Sequence, residues 1–172
     1  MMINFKSVDK VLIRVDFNVP IQNNKILDLT RIESAIPTIK YFLDKQVSVF
    51  LMSHLGRPNN RESRYSLSQI LPSIEKLLGV SVVLINEING ETNNLLTKNK
   101  NQIFLLENLR FYPGEKENSM QFAELLSQYG DIYVNDAFGV SHRNHASVSA
   151  IGNFFPNKKF TGFLLNRELK EL

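Results

Sequence analysis

Apolar residues along the chain fall into short continuous runs separated by stretches with helical spacing. Continuous apolar runs predict strands that are covered on both faces, and apolar residues every three or four positions predict helices. The predicted strands are 11–15, 47–52, 80–85, 103–107 and 132–135. The predicted helices are 31–45, 66–79, 91–98 and 119–129. Since strand and helix alternate about five times, we predict an α/β fold, a three-layer parallel β-sheet flanked by helices.

The ends of the helices carry weaker signals. Thr30-Arg31-Ile32-Glu33 matches a capping box and predicts the start of the first helix. Gly79 and Gly130 are expected to end two others. The last segment, FTGFLLNRELKEL, has the composition of a helix that begins but does not end. We therefore expect it to lead into a further part of the protein.

Composition narrows the class of protein. The chain has 172 residues, of which 43% are hydrophobic and 22% charged, as expected for one ordered domain. It contains no cysteine, which excludes disulfides, a zinc–thiolate site, an iron–sulfur cluster and a cysteine nucleophile. No apolar run is long enough to span a membrane, and no secretory signal is recognisable. A cytoplasmic location is therefore expected.

The positions of the arginines say more than the formal net charge of +3. Five of them lie in or beside the segments that follow predicted strands or open the first helix: Arg14, Arg31, Arg57, Arg110 and Arg143. The carboxyl ends of parallel strands meet at one edge of a sheet, where ligands bind. Guanidinium groups that converge there can bond two oxygens of a phosphate or carboxylate at once. The sequence therefore predicts a site for a small anion.

Several simpler readings stay open at this point. A single arginine after a strand is usually a solvated loop residue, His54 could be a satisfied buried histidine, and Asp16 and Asp136 could cap turns. His142 and His145 have the spacing of a metal pair, but no third ligand is evident and no metal is predicted. The sequence contains neither GxxxxGK[ST] nor GxGxxG nor GxSxG. Nucleic-acid binding has only the pI of about 9.1 in its favour.

Four segments in order resemble the phosphoglycerate kinase family: RVDFNVP (14–20), SHLGRP (53–58), LLENLRF (105–111) and VNDAFGVSHRNHAS (134–147). The segment TRIESAIPTIKYFLD (30–44) is similar to the first helix of that family. The resemblance runs from about residue 8 to the end and covers only the N-terminal lobe of a two-lobed enzyme. It implies a Rossmann-like, phosphoglycerate-binding domain at 1–160, and the truncated start of an interdomain helix at 161–172.

The resemblance also implies roles for individual residues. Asp16 and Asn18 would hold the hydroxyl end of 3-phosphoglycerate. Arg31 would be the catalytic residue, in contact with the carboxylate that is phosphorylated. The 3-phosphate would be clamped by His54, Arg57, Arg110 and Arg143. The substrate site would also include Phe17, Leu55 and Gly56, with Arg14, His142 and His145 in support.

The implied activity is reversible phosphoryl transfer between 1,3-bisphosphoglycerate with ADP and 3-phosphoglycerate with ATP, in glycolysis. The nucleotide-binding loops and magnesium carboxylate of the family have no counterparts in this sequence. Mg-ATP or Mg-ADP would therefore bind a C-terminal nucleotide lobe, and this chain would bind no cofactor. We expect a monomer that binds neither nucleic acid nor membrane. The alternative is a non-catalytic module that binds 3-phosphoglycerate, or a truncated remnant that is inactive alone.

Overall fold

A six-stranded sheet of parallel strands forms the centre of the molecule. The computed structural model describes residues 2–92, 95 and 101–172. The strands of this sheet lie in the order β5-β6-β4-β1-β7-β8, and every neighbouring pair is parallel. Their bounds are Lys10–Arg14 (β1), Ser48–Met52 (β4), Val82–Ile85 (β5), Ile103–Leu106 (β6), Ile132–Asn135 (β7) and Lys159–Thr161 (β8). The predicted parallel sheet is confirmed.

Helices cover both faces of the sheet, because its strands carry apolar side chains on both faces. The α-helices are Thr30–Asp44 (α1), Leu71–Leu78 (α2), Pro113–Lys116 (α3), Met120–Ser127 (α4) and Phe163–Glu171 (α5). Val11 and Ile13 of β1 belong to the core that includes α1 and α2, whereas Leu12 points to the core that includes α4. This alternation with a period of two divides the interior into two cores and gives the three layers.

The first helix starts differently from the prediction. The predicted capping box is wrong, because the helix begins at Thr30 directly after Leu29 and no side-chain hydrogen bond from the N-cap residue caps it. Instead, Asp28 Oδ1 accepts hydrogen bonds from the Thr30 amide at 2.9 Å and the Thr30 hydroxyl at 2.6 Å. These bonds hold the pKa of Asp28 below its usual value. The helix then runs unbroken through Pro37 to Asp44.

Two features were missed from the sequence. Strand β8 is only three residues long with one apolar side chain, Phe160, so no periodicity marks it. A two-stranded hairpin, β2 (Ile21–Gln22) and β3 (Lys25–Ile26), turns at Asn23 and Asn24. Both have positive φ, 51° and 60°, which asparagine tolerates in tight hairpin turns. The helix predicted at 91–98 lies largely outside the described residues.

The topology places the carboxyl ends of four strands side by side. The chain fills one half of the sheet with β4, β5 and β6, and then crosses to the other side of β1 to form β7. Such a reversal of strand order opens a crevice at the carboxyl edge of a parallel sheet. The segments after β1, β4, β6 and β7, which carry most of the predicted site residues, all emerge there. Within the described ranges, no helix combines the length and apolarity needed to cross a membrane.

Gly130 permits the turn between α4 and β7 to approach β1 closely. A Cβ there would lie 2.7 Å from the Ile132 carbonyl oxygen and 2.8 Å from the Leu12 amide nitrogen, both backbone atoms that cannot move aside cheaply. Gly130→Ala should lower the free energy of unfolding by roughly 1–3 kcal/mol in urea denaturation. Gly152→Ala is the matched control, because its Cβ would lie 3.5 Å from the nearest atom, Lys159 Nζ. Equal stabilities of the two variants would contradict this account.

Candidate anion-binding site

Arg14, at the end of the central strand β1, is the most buried charged residue of the site. Its side chain is only 1% exposed. Nε donates to Ser147 Oγ at 2.9 Å, one terminal nitrogen donates to the Val15 carbonyl, and the other lies 3.0 Å from His54 Nδ1. All three nitrogens of the guanidinium are therefore engaged inside the protein. Arg14 therefore supports the other side chains of the site from the buried side and is not positioned to bind a ligand.

This contact determines where the hydrogen of the His54 ring lies. A guanidinium can only donate, so Nδ1 of His54 must accept, and a neutral ring then carries its hydrogen on Nε2. Burial, together with the charges of Arg14, Arg110 and Arg143, lowers the pKa of His54 to about 2. His54 is therefore a neutral hydrogen-bond donor at physiological pH, surrounded by arginines.

Arg110 joins the loop after β4 to the segment after β6. Its Nη1 donates to the Gly56 carbonyl at 2.8 Å, and its buried Nε has no partner in the part of the chain that the structure describes. Burial lowers the pKa of Arg110, and Arg143, Arg14 and Arg57 lower it further. Positive charge therefore accumulates here beyond what the neighbouring carboxylates balance, which is the property of a site for an anion.

Asn108 fixes the shape of the loop that carries His54 and Arg57. Its Oδ1 accepts from the Leu55 amide at 3.2 Å, and its Nδ2 donates to the Leu55 carbonyl at 2.7 Å and the Tyr65 carbonyl at 2.9 Å. Gly56 turns the loop with φ of 64°, and a Cβ there would lie 2.4 Å from the Tyr65 ring. Both the conformation and the space therefore require glycine at this position.

Arg57 and Arg143 stand at the rim of the cluster with exposed side chains. Neither guanidinium has a hydrogen-bond or ion-pair partner within residues 2–92, 95 and 101–172. The charge of Arg143 nevertheless acts on Arg14, His54, Arg110 and His145, and that of Arg57 acts on Arg110. The structure therefore brings five residues of the predicted site together, which we call the phosphate-side cluster: Arg14, His54, Arg57, Arg110 and Arg143.

Arg31 forms a second group with Asp16 and Asn18. Its Nη1 donates to the Asn18 carbonyl at 2.8 Å and lies 3.3 Å from Asp16 Oδ1. These contacts offset the unfavourable position of a cation in the first turn of a helix. Asn18 Oδ1 accepts from the Gly56 amide at 2.9 Å and thereby links this group to the loop of the phosphate-side cluster.

The Arg31 group borders an open cleft of about 260 Å³. Besides Asp16, the cleft is lined by residues of α1, of the segment after β7 and of α5: Thr30, Arg31, Ser34, Phe138, Gly139, Leu164 and Glu168. The Arg31 side chain is 53% exposed. Unlike those of Arg14, its Nε and Nη2 have no hydrogen-bond partner among the residues that the structure describes.

The remaining predicted residues contribute less to this surface. The side chains of Phe17 and Leu55 are buried in the core, so either could meet a ligand only through its backbone. His142 is exposed, and His145 Nδ1 lies 4.0 Å from Glu115 Oε1. Burial and the nearby arginines lower the pKa of His145 to about 4. No group of three or more His, Asp or Glu side chains suited to a metal ion occurs among the described residues.

Sequence reasoning missed three supporting residues: Asn108, Glu115 and Ser147. Asn108 and Ser147 lie inside recognised segments, but their partners are 53 and 133 residues away. Glu115 sits in a polar stretch, PGEKEN, that gives no sign of burial, yet it is 1% exposed. Only the tertiary structure reveals these contacts.

The fold and the site define a parallel α/β domain with an arginine-rich anion site at the carboxyl edge of its sheet. A family model described as phosphoglycerate kinase matches residues 3–172. The chain therefore belongs to the phosphoglycerate kinase family, and the resemblance drawn from its motifs is confirmed.

Individual relatives agree with this assignment. The chain is 50% identical over 169 residues to phosphoglycerate kinase of Chlamydia abortus and 46% identical over 164 residues to that of a Wolbachia strain. These matches cover 95% and 94% of this chain but only 42% and 41% of the relatives. Phosphoglycerate kinase from Coxiella burnetii superposes with a TM-score of 0.85 at 35% identity, over 94% of this chain and 40% of that structure. The chain thus spans less than half the length of its relatives.

The depressed pKa of His54 predicts a pH dependence of stability. In the unfolded chain a histidine takes up a proton below a pKa of about 6.5, whereas folded His54 does not until about pH 2. As pH falls, the unfolded state therefore binds a proton at His54 that the folded state does not bind. This proton stabilises the unfolded state, so the contribution of neutral His54 to the free energy of unfolding, which is complete above pH 6.5, is lost on acidification. Between pH 7 and pH 5 the wild type should lose roughly 2 kcal/mol more unfolding free energy than His54→Gln.

Urea denaturation at several pH values measures this difference. The exposed His142 provides the control, because His142→Gln should follow the wild-type profile. Parallel profiles for the wild type and His54→Gln would show that the ring titrates normally in the folded protein.

Proposed function

We propose that this chain supplies the 3-phosphoglycerate-binding half of a phosphoglycerate kinase. The observation that carries the proposal is the phosphate-side cluster, in which Arg57 and Arg143 are exposed and lie close enough for their charges to act on Arg110, and that of Arg143 also on His54. Burial and the repulsion from Arg143, Arg14 and Arg57 lower the pKa of Arg110, and a phosphate dianion there would relieve that repulsion. Each charged hydrogen bond to it contributes roughly 1.5–3 kcal/mol.

The Arg31 group would bind the other end of the substrate. Asp16 and the Asn18 side chain would accept and donate hydrogen bonds to the 2-hydroxyl, and the carboxylate would lie in the open cleft that Arg31 lines. In the direction of 1,3-bisphosphoglycerate synthesis, a carboxylate oxygen attacks the terminal phosphorus of ATP, and the bond from that phosphorus to ADP breaks. The carboxylate is already ionised, so no general base is needed.

Under this proposal, catalysis consists of alignment and charge stabilisation. Charge spreads over the oxygens of the transferring phosphoryl group, and the Arg31 guanidinium would stabilise it from the substrate side. The nucleotide and its magnesium ion would bind a C-terminal lobe that follows α5, consistent with relatives more than twice as long. In that case residues 1–160 form the substrate domain, and 161–172 begin the interdomain helix. We place the reaction in the cytoplasm, in line with the absence of cysteine.

Binding of 3-phosphoglycerate to the isolated chain is the first test of this function. Calorimetry should detect 3-phosphoglycerate and not ADP, because the phosphate-side cluster and the Arg31 group both lie on this chain. Addition of a separately expressed nucleotide lobe should then restore some ATP formation from 1,3-bisphosphoglycerate and ADP. Absence of 3-phosphoglycerate binding to the folded chain would reject the proposal.

Arg31 and Arg57 should differ in the step that they affect. Arg31→Ala in an enzyme completed with a nucleotide lobe should weaken 3-phosphoglycerate binding only modestly but lower kcat about 10²–10³-fold, since its charge counts most in the transition state. Arg57→Ala should mainly raise KM. Steady-state kinetics with Arg64→Ala, an exposed arginine outside the site, as the control would separate the two roles. Similar changes in kcat for Arg31→Ala and Arg57→Ala would contradict this division.

A further inference from the structure

Glu115 is a buried carboxylate for which the proposed mechanism has no use. It lies in the short helix α3, is 1% exposed and has one oxygen, Oε2, without a partner among the described residues. Burial raises its pKa, and Arg14 and the hydrogen bonds from Ser147 offset only part of that rise. Burying a carboxylate is unfavourable unless the environment compensates. The contacts of the other carboxylate oxygen, Oε1, show which groups compensate for the burial and indicate the role of Glu115.

A continuous chain of hydrogen bonds leads from Glu115 to His54. Oε1 accepts from the Ser147 hydroxyl at 2.7 Å and from the Ser147 amide at 3.3 Å. Ser147 Oγ in turn accepts from Arg14 Nε at 2.9 Å, and Arg14 reaches His54 Nδ1 at 3.0 Å. Arg14, Glu115 and Ser147 are each no more than 1% exposed, so water does not compete for these bonds.

The chemistry of the two ends gives this chain one direction. Glu115 Oε1 accepts from the Ser147 amide and also from the Ser147 hydroxyl, whose oxygen turns a lone pair towards Arg14. A guanidinium only donates, so Arg14 donates both to that lone pair and to His54 Nδ1. The hydrogen of the His54 ring is thereby placed on Nε2.

We propose that Glu115 is a positioning residue that holds Arg14 through Ser147 and so fixes the orientation and tautomer of the His54 ring. Nε2–H of His54 is then preorganised as a donor to the anion. The link from Glu115 to His54 is independent of the ligand, and only the identification of that anion as the substrate phosphate rests on the proposed function. A purely structural Glu115 would neutralise Arg14 without affecting the ring.

Nitrogen-15 NMR of the histidine rings distinguishes these roles in the 172-residue chain itself. In the wild type, His54 should show an unprotonated Nδ1 and a protonated Nε2 as a single tautomer. Glu115→Gln can offer Ser147 an amide hydrogen in place of an acceptor, and Ser147→Ala removes the hydroxyl link but keeps the carboxylate. In both variants the two His54 nitrogen shifts should move towards the averaged values of mixed tautomers. Glu117→Gln, an exposed neighbour on the same segment, should leave them unchanged.

Calorimetry on the same samples adds a binding readout. Both variants should bind 3-phosphoglycerate at least roughly tenfold more weakly than the wild type and Glu117→Gln, in keeping with one weakened charged hydrogen bond. His54 shifts that match the wild type in folded Glu115→Gln or folded Ser147→Ala would overturn the inference, even if stability fell. Should Glu115→Gln fail to fold, Ser147→Ala decides in the same way. A wild type that shows the single tautomer but binds no 3-phosphoglycerate would reject the proposed function and leave the inference standing.

Discussion

The constraint on which the site depends is the burial of a guanidinium at the end of the central strand. Arg14 is 1% exposed, and burial lowers its pKa, so each of its nitrogens needs an acceptor inside the protein. The Val15 carbonyl, Ser147 and His54 provide these acceptors and come from three segments of the chain. Satisfying one buried cation therefore fixes the relative positions of β1, the loop after β4 and the segment after β7. The rest of the phosphate-side cluster is built on this arrangement.

Parallel topology explains why residues so distant in sequence can meet there. The strand order reverses next to β1, so the segments after β4 and β7 flank the end of β1 and leave a crevice between them. Buried side chains, Asn108 above all, then hold the loops with bonds to backbone groups. Such a loop keeps its shape without a ligand, so less conformational entropy is lost on binding.

The sequence was most informative where the physical signal is local. Continuous apolar runs located five strands of the sheet, and motif order placed the arginines at one edge. Strand β8 was not predicted because its three residues, Lys159–Thr161, are too few to show a hydrophobic period. The cap of the first helix was wrongly predicted because Asp28 accepts the hydrogen bonds of the Thr30 amide and hydroxyl. Glu115 and Ser147 could not be predicted, since their importance lies in contacts 32 and 133 residues away. Burial of a polar residue is decided by tertiary packing and leaves no mark in local composition.

The two parts of the site differ in how firmly their side chains are held. Arg14, His54 and Arg110 are held by buried or half-buried hydrogen bonds, whereas Arg31 is half exposed beside an open cleft. Helix α5 forms one wall of that cleft, and its start is tied to the sheet by buried Asp136, whose Oδ1 accepts from the Leu165 amide at 3.1 Å. The wall of the cleft beside Arg31 is thereby fixed to the carboxyl edge of the sheet. Under the proposed function, the firmly held cluster would grip the phosphate that does not react, and the open cleft beside Arg31 would leave the reacting group accessible to the nucleotide.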